Sequence, residues 1–118
     1  MKVLFVVSDS TAHGGTEILT FNLMRELQNS GVDCYLISRY IYNGENSHVI
    51  NMTQAEFSRY RQMLNSPLNK ITGSRISDTY LKEVIRKVAK DLQVDWIVNH
   101  TYDMCAAIPT DGLWQTAH

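Results

Sequence analysis

Six residues in this chain stand where their types could do chemistry: Gly14, Gly15, Glu17, His100, Asp103 and His118. Gly14 and Gly15 follow an apolar run, Val3 to Val7, and precede an amphipathic stretch that starts near Thr16. Adjacent glycines bring bare backbone amides close to an anion, and the start of a helix adds a positive dipole there. A diphosphate or a sugar hydroxyl suits that place. Equally, two glycines simply let the chain turn tightly and the helix pack on a sheet. His100 closes a second apolar run, Trp96-Ile97-Val98-Asn99, with Tyr102 and Asp103 just beyond it. His118 follows a third segment, Leu113 to Ala117. An imidazole at such a strand end donates to a hydroxyl or shares a proton. A structural or solvated histidine is the competing reading at each. His13, in the glycine loop, reaches a ligand or nothing.

The elements that must position these residues are legible from hydrophobic periodicity. Val3 to Val7 is a continuous β-branched run, the mark of a strand covered on both faces. From Thr16 the period turns helical, with Leu19, Leu23 and Leu27 on one stripe and Thr20 and Met24 beside them. Gly31 is the expected left-handed stop, and Cys34 to Ser38 the next strand. Strand, helix and strand in so short a span imply a right-handed crossover with parallel strands. Tyr40-Ile41-Tyr42 extends the second strand in this reading; Asn43-Gly44 is a turn and His48-Val49-Ile50 a short return strand. Thr53-Gln54-Ala55-Glu56 is a capping box that opens a helix to about Leu64, ended by Pro67. Residues 67–76 read as loop. Asp78 to Gln93 is the clearest helix, capped by Ser77 or Asp78 and carrying Leu81, Val84, Ile85, Val88 and Leu92 on one face. A strand at 95–99, a helical turn at 104–108 and a strand at 113–117 complete the chain. Alternating strands and helices make the class α/β. Ligands of open α/β sheets bind beyond the carboxyl ends of the strands, which is where Gly14-Gly15, His100 and His118 fall.

Composition removes several functions. The 118 residues carry a formal net charge of −1 and no long single-sign block, which argues against nucleic acid. The two cysteines, Cys34 and Cys105, sit far apart in apolar settings with no CxxC or His/Cys cluster. That argues against a zinc site and a disulfide framework and fits packed thiols of a reducing compartment. The N-terminal apolar run is too short for a targeting peptide, and no segment is long enough to span a bilayer. Neither GxxxxGK[ST] nor GxGxxG occurs, which counts against a Walker loop and against an NAD or FAD enzyme.

Lys2 to Val7, then His13-Gly14-Gly15-Thr16-Glu17, then Asn22-Leu23, Leu27 and Gly31-Val32-Asp33 resemble the start of GT-B glycosyltransferases, in the large retaining group called family 4. Asp95 to His100 is similar to that family's hydrophobic strand ending in histidine, and Gln115-Thr116-Ala117-His118 to its later T-x-H strand. The likeness is weak between residues 40 and 76. It implies a Rossmann-like three-layer α/β/α domain with a mostly parallel sheet, spanning residues 1–118 as a truncated N-terminal, acceptor-side half. It further implies transfer of a sugar from a nucleotide-sugar donor to a hydroxyl acceptor, with retention and without a cofactor or obligatory metal. In that family the glycine loop lies near donor diphosphate and acceptor, a role that would pass to Gly14 and Gly15. The resemblance gives Glu17, His100 and Asp103 substrate-binding roles and His118 the catalytic one. For Glu17 the alternative is a first-turn stabiliser of the helix.

The family's second domain binds the donor with a characteristic pair of glutamates, which these residues do not contain. The expected partners are therefore a C-terminal donor domain, the nucleotide sugar and a glycan or other hydroxyl acceptor, with little activity from the chain alone. Polysaccharide synthesis in the cytoplasm, at the inner face of the membrane, is the setting implied. Two other readings stand beside it: a non-catalytic binding module that forms a homodimer through an exposed sheet edge, and part of a GT-B-shaped nucleotide-sugar epimerase.

Overall fold

The computed structural model describes residues 1–8, 15–44, 46–100 and 107–117, with the backbone alone for residues 15–17. Five strands among them, β1 (Lys2–Val7), β2 (Asp33–Ser38), β3 (Val49–Ile50), β4 (Trp96–Asn99) and β5 (Gln115–Ala117), form one sheet in the order β3-β2-β1-β4-β5. Every neighbouring pair is parallel. The helices are α1 (Gly15–Asn29), α2 (Gln54–Leu64), α3 (Pro67–Ile71) and α4 (Arg75–Leu92). This is the α/β, Rossmann-like architecture the sequence predicts.

β1 is the central strand, paired from Lys2 with Asp33 to Val7 with Ser38 on one side and from Val3 with Trp96 to Val6 with Asn99 on the other. Its residues alternate between two cores, because successive side chains of a strand point to opposite faces. Val3, Phe5 and Val7 join Met24, Cys34 and Leu36 on the α1 face. Leu4 and Val6 join Ile37, Ile97, Tyr60, Leu81, Val84 and Ile85 on the face covered by α2 and α4. Both sides of β1 are buried, which is why it reads as an unbroken apolar run.

α1 ends as its sequence demands. Gly31 adopts φ 88°, its N–H donates to the Gln28 carbonyl at 3.0 Å, and the Val32 N–H reaches back to the Leu27 carbonyl at 3.0 Å. This pair of bonds needs a left-handed residue at Gly31, which glycine adopts without steric cost. The buried face of α1 lies beside the leucine stripe, of which Leu27 packs against the core. Thr20 and Met24 are buried, whereas Leu19 is 69% and Leu23 38% exposed. Helical periodicity marks an apolar stripe without saying what covers it. Here the helix sits over β1 and β2, and Leu23 and Leu27 line the neighbouring strip of sheet above β4.

Four local expectations are corrected. β2 stops at Ser38, whose hydroxyl donates to the Tyr40 carbonyl at 2.9 Å, so Tyr40 to Tyr42 leave the sheet. The Asn51 side chain instead brackets Tyr42, accepting its N–H and donating to its carbonyl, both at 2.8 Å. β3 is parallel to β2, not a returning hairpin strand. Residues 67–76 are largely helical: Pro67 stands in the first turn of α3, where its missing N–H costs nothing, and α4 starts at Arg75. Ser77 and Asp78 thus lie inside α4, and Ser74 (φ 69°) holds the N-cap position. The capping box at Thr53 is formed in full, with the Glu56 N–H donating to Thr53 Oγ1 at 3.1 Å and the Thr53 N–H to Glu56 Oε1 at 2.9 Å.

Candidate functional site

The chain runs from β1 outward through β2 to β3, then returns to add β4 on the other side of β1. Strand order therefore reverses between β1 and β4, and the carboxyl ends of these two strands define the crevice where ligands of such sheets bind. α1 begins at Gly15, so its first-turn amides stand at this edge. Ser8 follows β1 and His100 follows β4.

His100 is fixed by three contacts. Its backbone N–H donates to the Val6 carbonyl at 3.0 Å, extending the β1–β4 ladder by one residue. Its ring meets Phe5 edge-on, with centroids 5.1 Å apart and planes at 61°. Its Nδ1 lies 2.9 Å from Oγ1 of Thr20, a fully buried residue of α1. Nε2 has no hydrogen-bond partner among the described residues. Partial burial lowers the imidazole pKa from its ordinary 6.5, because the charged form is the one desolvation penalises. The ring is thus mainly neutral at pH 7. It borders a trough of about 400 Å³ whose other walls are apolar, among them Val3, Phe5, Leu23, Leu27, Trp96 and Val98. Trp96 is half-buried in that wall, while Trp114 belongs to the opposite core and donates from Nε1 to the Pro109 carbonyl at 2.9 Å.

Of the six residues singled out in the sequence, His100 is the one whose side chain is described. Gly15 is described by its backbone and lies where expected, at the start of α1. Gly14, Asp103 and His118 lie outside the described residues, as do His13, Tyr102, Cys105 and the greater part of the helical turn expected at 104–108; the side chain of Glu17 does too.

Four polar residues at this edge were not singled out for the site. Thr20 is the partner of His100. Ser38 and Asn99 close β2 and β4 and are buried. Arg39, next after β2, lies 5.5 Å from the centroid of the Tyr40 ring. Burial raises the Tyr60 pKa, with Arg39 opposing it. Thr20 carries a sequence signal, as a polar residue in the buried face of an amphipathic helix. Ser38 and Asn99 carry a weaker one, as polar residues ending apolar runs.

Cys34 is a free, buried thiol whose pKa is raised by burial, which makes it unreactive. No cluster of three metal-ligating side chains is found among the described residues. No described helix is long and apolar enough to cross a membrane. A separate cleft of about 650 Å³ lies at the amino end of β4 and β5, lined by Lys90, Gln93, Val94, Asp95, Asp111 and Trp114. It is remote in the fold from the strand-order reversal, since it sits at the opposite end of the strands.

No protein-family model, no curated protein and no solved structure matches this chain.

Proposed function

We propose that the chain is the acceptor-side domain of a GT-B glycosyltransferase, which moves a sugar from a nucleoside-diphosphate donor to a hydroxyl acceptor. One observation supports this reading: the segments that resemble the retaining group contain β1, β4 and β5, three neighbouring parallel strands, and continue past their carboxyl ends in sequence. Gly15 opens α1 beside β1, His100 ends β4, and His118 follows β5 in sequence. A ligand at the reversal point would meet the helix amides and the neutral imidazole together. In this reading the amides of the Gly14-Gly15 loop take a phosphate or sugar oxygen, His100 holds an acceptor hydroxyl, and His118 works at the reacting sugar. A companion donor domain supplies the nucleotide site, and transfer needs no cofactor.

Saturation-transfer NMR with UDP, GDP and their sugars tests the loop. Weak, millimolar-range binding is expected, abolished by Gly15→Val, because a branched side chain at the first helical turn blocks approach to its amides. Binding that Gly15→Val leaves unchanged removes the loop from the site. A second reading, a non-catalytic module that self-associates, draws on the position of the three-residue strand β5 at the sheet edge. A concentration-dependent sedimentation coefficient, lost on placing proline at Thr116, supports that reading.

A further inference from the structure

We infer that Thr20 is a positioning residue that holds His100 as the Nδ1–H tautomer, leaving a bare, hydrogen-bond-accepting Nε2 for a ligand hydroxyl. The inference rests on the acceptor-side reading above for the identity of that hydroxyl, and for the tautomer on the Thr20–His100 contact together with the hydrogen-bonding habit of a helical threonine. Thr20 Oγ1 and His100 Nδ1 are 2.9 Å apart, so one of them donates to the other. Thr20 lies within α1 and is fully buried. A buried hydroxyl must place its proton, and the back-bonding open to a threonine inside a helix is to the carbonyl one turn before it, that of Thr16 for Thr20; we assign the proton there. Its oxygen is then left to accept, and the proton of the shared bond belongs to Nδ1. Phe5 packs against the ring edge-on, and the His100 backbone is bound into the β1–β4 ladder, which narrows the orientations open to the ring.

The consequence is chemical. With Nδ1 protonated, Nε2 carries a lone pair and would accept from an O–H. A ligand carbonyl or phosphate oxygen, which offers no proton, would not be favoured. Thr20 thereby selects a hydroxyl-bearing ligand without touching it, the manner in which a hydrogen bond to one imidazole nitrogen sets the role of the other.

The test is long-range ¹H–¹⁵N correlation NMR of the imidazoles in the 118-residue chain above pH 7, with His100 assigned through His100→Gln. His48 supplies an internal standard. Its Nδ1 lies 2.9 Å from the Cys34 carbonyl, which only accepts, so it must be the Nδ1–H tautomer. The expected spectrum gives His100 a protonated, pyrrole-type Nδ1 and a pyridine-type Nε2, matching His48. Thr20→Ser preserves both signals. Thr20→Val, which keeps the shape and removes the oxygen, moves both towards tautomer-averaged values and leaves His48 unchanged. A pyrrole-type Nε2 in the unsubstituted chain overturns the inference, and so does a Thr20→Val spectrum identical to it. Should Thr20→Val fail to fold, the unsubstituted and Thr20→Ser spectra decide the tautomer by themselves. The predicted tautomer together with no sugar-nucleotide binding would leave this inference standing and remove the functional reading.

Discussion

Asn69 Oδ1 accepts the backbone N–H of Ser77 at 2.9 Å, and both residues are almost wholly buried. The main-chain carbonyl of Asn69 also receives the Ser74 N–H at 2.8 Å and the Thr72 hydroxyl at 3.1 Å. The turn from α3 into α4 is thus organised around one residue, and one of the first-turn amides of α4 finds its acceptor there. Replacing Asn69 with alanine leaves that amide buried without a partner, a loss of about 1–3 kcal/mol. Urea denaturation measures it. A change below about 0.5 kcal/mol, the range of ordinary surface substitutions, would contradict this role for Asn69.

The two apolar sides of α1 differ in what they contribute. Met24 is 3% exposed against the sheet, whereas Leu19 is mainly in solvent. Met24→Ala is expected to cost about 2–5 kcal/mol through lost burial and a cavity. Leu19→Ala should stay within about 0.5 kcal/mol. Paired denaturation curves check both values, and a reversed order would mean that α1 is rotated on the sheet.

Burial lowers the pKa of His100 in the folded chain, which fixes the sign of a stability change with pH. Between the depressed folded value and the ordinary 6.5, the unfolded chain binds the extra proton, so stability rises with pH across that interval. The contribution is complete above the unfolded value and is lost as pH falls through the folded one. His100→Gln should flatten this part of the profile. The difference between the two profiles isolates His100 from the other histidines, and identical profiles from pH 7.5 to 5 would show that burial does not perturb the ring.

Much of the fold is legible in the residues, and the failures have physical causes. β1 and β4 announce themselves as apolar runs, α2 by its capping box and α4 by its spacing, because each signal states a local energetic requirement. α3 is hidden because Pro67 and Ser66 serve equally as the end of one helix and the start of the next. The residue that organises this join, Asn69, is polar and so reads as loop. The Leu19-Leu23-Leu27 stripe is correctly periodic, but which neighbour covers it depends on how α1 is rotated over β1 and β2. At the site, His100 was visible as a chemical residue at a strand end. Thr20 was visible only as a neighbour on a helix, since its partner lies 80 residues away.

The proposed function requires that ligands meet this domain where strand order reverses between β1 and β4. Amide chemical-shift mapping of the ¹⁵N-labelled chain during titration with a UDP- or GDP-sugar tests it most directly. Saturable shifts clustered at Ser8, Gly15, Thr20 and His100 are expected. Shifts clustered instead at Lys90, Gln93 and Asp111, around the cleft at the amino end of the sheet, would contradict it.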